Sequence, residues 1–229
     1  MDADQQPTDP VRPTIAERIE AAKADPETVR DTAVHEAGHV VCSVATGTFP
    51  DGVELGGDGD HLGITLMHGW GAEGWHQMPD QLRPAAVGEV AVLIAGDLAV
   101  DLDHGEDEHD HLPFLLGEVL DPVGQRAFMR RIASAVGVEQ DDGPVDEVDE
   151  STDVVKMRRL VEHLDRDATV ALLTEAHDLA GDVLWSCRAD VERVTAALLT
   201  DGRLDGDQLF GLLEDGVADR YARDLRRFL

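Results

Sequence analysis

DPETVRDTAVHEAGHVVCSVAT, residues 25–46, is the stretch on which the fold turns. Asp25 is placed to cap a helix, and Pro26 suits its first turn, where a missing N–H costs nothing. Glu27 sets a negative charge against the positive end of the helix dipole. The helix should stop near Gly47, before Pro50. Ala33, Val34, Ala37, Val40 and Val41 make it largely apolar, so it should be buried. Gly38 is a poor helix former, costing about 1 kcal/mol against alanine. A glycine there makes sense where another backbone packs closely on the helix.

Within this helix lies His35-Glu36-Ala37-Gly38-His39. Histidines at i and i+4 project from nearly the same face, separated by ~6 Å of rise. Both imidazoles can then reach one ion at ~2.0–2.1 Å. Glu36 sits one position on and cannot easily reach the ion itself. It can hydrogen-bond a water on the metal's open position. Zinc lowers the pKa of that water, and the glutamate takes its proton as the hydroxide attacks a carbonyl. His35 and His39 are therefore expected as metal ligands and Glu36 as catalytic base. A mononuclear site of this kind needs a third protein ligand from another part of the chain.

Outward from the helix, residues 1–13 are polar, carry Pro7, Pro10 and Pro13, and read as a disordered tail. Residues 14–24 read as a short amphipathic helix. Residues 52–68 change character: Val53–Leu55 and Gly63–Met67 are β-like runs around a glycine/aspartate turn, which predicts a small hairpin or sheet edge. Residues 69–81 read as a loop whose Trp70 and Trp75 could cover the core or rim the site. Leu82–Asp101 reads as a buried helix. Helical spacing resumes over 112–137, and residues 139–152 read as a solvated acidic loop. Helices are expected over Asp153–Thr174, Glu175–Ser186, Ala189–Leu199 and Asp205–Asp215, and residues 218–229 as a tail or short helix. The expected fold is mainly α, one domain over residues 14–217, with a small β element after the histidine helix.

The formal net charge is −29, with 48 acidic residues against 19 basic ones. Such a surface repels phosphate backbones and anionic membranes, so nucleic-acid binding and membrane insertion are not expected. Only Lys23 and Lys156 are lysines. Two readings of this acidity stand: adaptation to high salt, where screening suppresses self-repulsion, or an ordinary acidic cytosolic protein. Cys42 and Cys187 are too few for a disulfide scaffold, and the first residues lack the basic and apolar regions of a signal peptide. Reduced thiols in the cytoplasm are the expectation. The longest apolar run, Ala85–Val100, is shorter than the ~20 residues of a spanning helix and contains Glu89 and Asp97.

Residues 32–41, TAVHEAGHVV, resemble the zinc helix of FtsH-type metalloproteases. Further segments match in order. Leu62-Gly63-Ile64-Thr65 is similar to the strand after that helix. Residues 95–101, AGDLAVD, are similar to the GGRAAEE end of the next helix. Arg188–Glu192, Ala197–Leu199 and Leu204–Asp207 are similar to the closing NRDKLE…ALLE…LDGEE segment. The resemblance implies a zinc metalloendopeptidase of flexible or unfolded polypeptides. It also implies an aspartate as third zinc ligand, from a segment reading like SNDLERA. Asp110 is the match by residue type among residues 107–111, DEHDH, and His111 the match if the following leucine fixes the register. No G-x-x-x-x-G-K-[ST] loop is present, so the resemblance implies a peptidase domain without its own ATPase, served by a separate ATPase partner or a homo-oligomer. The alternatives are a catalytically silent FtsH-like zinc-binding or interaction module, and a zinc hydrolase of another substrate class.

Overall fold

Asp25 opens the first helix as its sequence requires: its carboxylate accepts from the Thr28 backbone N–H at 3.2 Å and from the Thr28 hydroxyl at 2.7 Å. That helix, α1 (Pro26–Ala45), ends in a Thr46 cap followed by Gly47 at φ +92°. The computed structural model describes residues 23–56, 62–66, 83–106, 108–124, 153–214 and 216, and of 83, 84 and 108–110 the backbone alone. The expected N-terminal tail, the loop over 69–81 with its tryptophans, the acidic loop and the C-terminal segment over 218–229 lie outside the described residues.

Two short strands follow, β1 (Gly52–Leu55) and β2 (Gly63–Leu66), then helices α2 (Arg83–His104), α3 (Glu108–Leu120), α4 (Asp153–Val161), α5 (Arg166–Ser186) and α6 (Arg188–Asp201). A third strand, β3 (Arg203–Asp205), precedes helix α7 (Gly206–Leu213). The protein is thus mainly helical with a small antiparallel sheet, ordered β2-β1-β3. Val53 is the central residue of the register, opposite Thr65 on one side and Leu204 on the other. The expected hairpin is present, and β3 extends it from far along the chain. Gly202, at φ +72°, ends α6 in the left-handed conformation and turns the chain straight into β3. Asp205 then caps α7 in a reciprocal box with Gln208, both bonds at 2.9 Å.

The core forms where α1 crosses α2. Gly38 permits it: a Cβ there would land on the Ala95 carbonyl oxygen and 2.8 Å from the Ala99 Cβ. The backbone-to-backbone approach expected of this glycine is what the packing shows. α5 packs on α2, and α6 packs on α1. Cys42 and Cys187 are both fully buried in this core and neither is in a disulfide, and burial pushes the Cys42 thiol pKa up.

Several boundaries differ from the sequence expectation: α5 runs unbroken through the break expected between Thr174 and Glu175, and α3 ends at Leu120, inside the expected 112–137. The chain over 153–174 is not one helix but breaks before α5, because Asp165 caps the Ala168 N–H at 2.8 Å. Pro113 lies past the first turn of α3, whose start is Glu108. There its missing N–H removes the bond to the carbonyl four residues back.

Candidate metal centre

His35 and His39 leave α1 on one face and meet α2. His39 Nδ1 lies 2.7 Å from the Val92 carbonyl oxygen. A carbonyl only accepts, so Nδ1 carries the proton, and the neutral ring has a bare lone pair at Nε2. His35 Nδ1 lies 3.1 Å from Asp97 Oδ1, further along α2, so Nδ1 donates to that carboxylate, and whenever the ring is neutral its lone pair is at Nε2. The two Nε2 atoms face each other at 2.9 Å.

Asp153, the first residue of α4, completes the cluster. Its Oδ2 lies 3.0 Å from His39 Nε2 and 3.5 Å from His35 Nε2, while Oδ1 pairs with Lys156 at 2.9 Å. α4 is held in place by Met157 and Leu160, both buried, and by Arg158, whose guanidinium donates to the Glu118 carbonyl of α3 at 2.6 and 3.1 Å. Three electron-pair donors therefore point at one spot, an arrangement that is repulsive unless a cation or a proton sits between them. Donors around a tetrahedral zinc at ~2.0–2.1 Å stand about 3.3 Å apart. The separations of 2.9, 3.0 and 3.5 Å fall within a few tenths of an ångström of that value. His35, His39 and Asp153 form a group that could hold a metal ion.

The electrostatics agree. Burial opposes charge on His35, but the carboxylates of Asp153 and Asp97 outweigh it and push its pKa up to about 10. Burial also disfavours ionised Asp153, yet its bonds to His35 and His39 hold its carboxyl well below the usual carboxylate range. The site attracts positive charge. Its roof is the α2 backbone: a Cβ on Gly96 would come within 2.6 Å of His39 Nε2 and 2.7 Å of His35 Nε2.

Glu36 is 5% exposed and turns from α1 toward the sheet rather than into this cluster of donors. Its Oε2 accepts from the Thr65 hydroxyl of β2 at 2.6 Å. The sequence reading thus places His35, Glu36 and His39 together with their expected helix. The side chain of Asp110 lies outside the described residues, as does Asp107. His111 stacks on His177, ring centres 5.5 Å apart, and lines a cavity beside Asp97 instead of joining the two Nε2 atoms. Burial holds the His111 pKa down.

The carboxylate that the structure brings to the histidines, Asp153, was missed. A signal for it existed: residues 151–157, STDVVKM, repeat the serine, polar, aspartate, aliphatic order of SNDLERA. Asp97 was missed as well. It occupies the position at which the GGRAAEE pattern has arginine, so the resemblance pointed away from it. Cys42 is a core residue. No helix among the described residues is long and apolar enough to cross a membrane. No family model matches the chain, and no curated protein matches it.

Proposed function

We propose that the chain is a zinc-dependent metallopeptidase in which His35, His39 and Asp153 hold the ion and Glu36 is the general base. The observation that carries this reading is the convergence of the His35 and His39 Nε2 atoms and a carboxylate oxygen, each imidazole fixed from behind by a second acceptor. Three protein ligands leave a zinc position open for water, as a hydrolytic site requires. Zinc, when bound, would acidify that water and polarise the scissile carbonyl. Glu36, next to His35 on the same helix, takes the water's proton and passes it to the leaving amine.

Strand β2 supports the substrate class. Among the described strands it pairs on one side only, with β1, and it exposes Ile64 and Leu66. An extended peptide can add to such an edge, which favours flexible or unfolded polypeptides over folded ones. Folded substrates would need a separate unfolding partner. The test is zinc analysis of purified chain, then digestion of casein with and without chelator. About one zinc per chain and chelator-sensitive cleavage are expected. Glu36→Gln should keep the metal and lose hydrolysis. A Glu36→Gln protein that cleaves at the wild-type rate removes the glutamate from the mechanism. A chain that stays metal-free after zinc loading removes the reading altogether.

A further inference from the structure

We infer that Thr65 is a positioning residue for Glu36, and that strand β2 sets which carboxylate oxygen acts as base; the inference rests on the peptidase reading. Two observations meet at this carboxylate. The Thr65 hydroxyl has one proton, and it lies 2.6 Å from Glu36 Oε2 but 3.4 Å from the Glu36 carbonyl oxygen, so the proton goes to the carboxylate. The other oxygen, Oε1, lies against Gly63: a Cβ there would approach it to 2.7 Å and the Glu36 Cγ to 2.8 Å. The side chain is therefore held from both sides by residues two apart on one strand. Residues i and i+2 point to the same face of a strand, so Gly63 and Thr65 act together on Glu36.

A glutamate has three rotatable bonds, and on α1 nothing else described hydrogen-bonds this carboxylate. With Oε2 committed to Thr65, Oε1 is left to take the proton of the attacking water, in one orientation. Gly63 leaves Oε1 the space that any side chain would occupy. Because β2 is also the edge of the sheet among the described strands, a peptide added there would be in register with the same strand that orients the base.

The experiment uses the zinc-loaded full chain with a quenched fluorescent peptide, and calorimetry with a peptide hydroxamate, which chelates the metal and hydrogen-bonds the base. Thr65→Val keeps the shape and removes the hydroxyl. It should leave zinc content, Tm and KM unchanged and lower kcat about 100-fold, the scale of a base misplaced by ~1 Å. Hydroxamate affinity should fall about tenfold, within the range found when groups orienting a site are removed. Thr65→Ser restores the donor and should recover both. Wild-type kcat and hydroxamate affinity in Thr65→Val overturn the inference. So does a Thr65→Ser protein as impaired as Thr65→Val, since packing rather than the hydroxyl would then matter. A wild type that holds zinc but neither cleaves the peptide nor binds the hydroxamate overturns the peptidase reading, and this inference with it.

Discussion

At Asp153 a single carboxylate divides its work, with one oxygen on the histidines and the other on Lys156. Removing it leaves the two imidazoles as the sole protein ligands of the group, and two ligands rarely hold zinc against competing buffers. Asp153→Ala should therefore lose zinc as fully as His35→Ala or His39→Ala, measured by metal analysis after dialysis, while Asp110→Ala and His111→Ala keep it. Zinc retained in Asp153→Ala but lost in Asp110→Ala would return the third ligand to α3. Asp97 acts one step back, on His35 Nδ1. A carboxylate there fixes the tautomer and raises the basicity of the opposite nitrogen. Asp97→Asn should weaken zinc binding by roughly 10–100-fold without abolishing it, read by competition with a chromogenic chelator. An unchanged constant would mean that the Val92 carbonyl and the packing alone orient the ligand pair.

The α1–α2 contact is the element on which the site depends, because α2 supplies the Val92 carbonyl, the Gly96 roof and Asp97. Gly38→Ala tests it. Alanine gains about 1 kcal/mol in helix propensity. Against that, its Cβ would meet the Ala95 carbonyl oxygen, and overpacking of a rigid contact costs about 1–3 kcal/mol. Backbone cannot rotate aside, so the clash should win, lowering Tm and weakening zinc binding together. A Tm equal to or above wild type would show that the helices part without penalty. This helix is also where the sequence was most legible. Asp25-Pro26 marks its start, the apolar run its burial, and Gly38 the close neighbour, all from local rules. The carboxylate of the candidate metal group was not legible by nearness. Asp153 is brought back to α1 by the packing of α4 on α2 and α3, whereas the resemblance placed the ligand just after the α2 segment, where Asp110 was chosen from residues 107–111. β3 was hidden for a related reason. Three residues, Arg203–Asp205, form a strand only because Gly52–Glu54 offers them an edge, and no local propensity records that. The break at Asp165 was available in principle, since an aspartate three residues before the Ala168 N–H is a cap, but the apolar spacing on either side runs smoothly through it.

Over the whole molecule the dominant physical fact is the charge of −29. Among the described residues part of it lies on solvent-facing helix surfaces: on α5, Asp178 and Asp182 are both exposed and one turn apart, a like-charge pair that destabilises a helix by a few tenths of a kcal/mol. Summed over 48 acidic groups against 19 basic ones, this repulsion acts only on the compact state, where the charges are held together. Added salt shortens its reach from ~10 Å at 0.1 M to ~3 Å at 1 M. Tm should therefore rise clearly between low and molar potassium chloride. Salts also strengthen apolar burial, so the rise must be assigned to charge by comparison. An Asp178→Asn, Asp182→Asn protein should be more stable than wild type at low salt, and the difference should shrink at molar potassium chloride. Parallel salt curves for the two proteins would mean that the rise comes from solvent exclusion. A flat or falling wild-type curve would remove the high-salt reading and leave an ordinary acidic protein whose surface charges sit far enough apart to be screened by water alone.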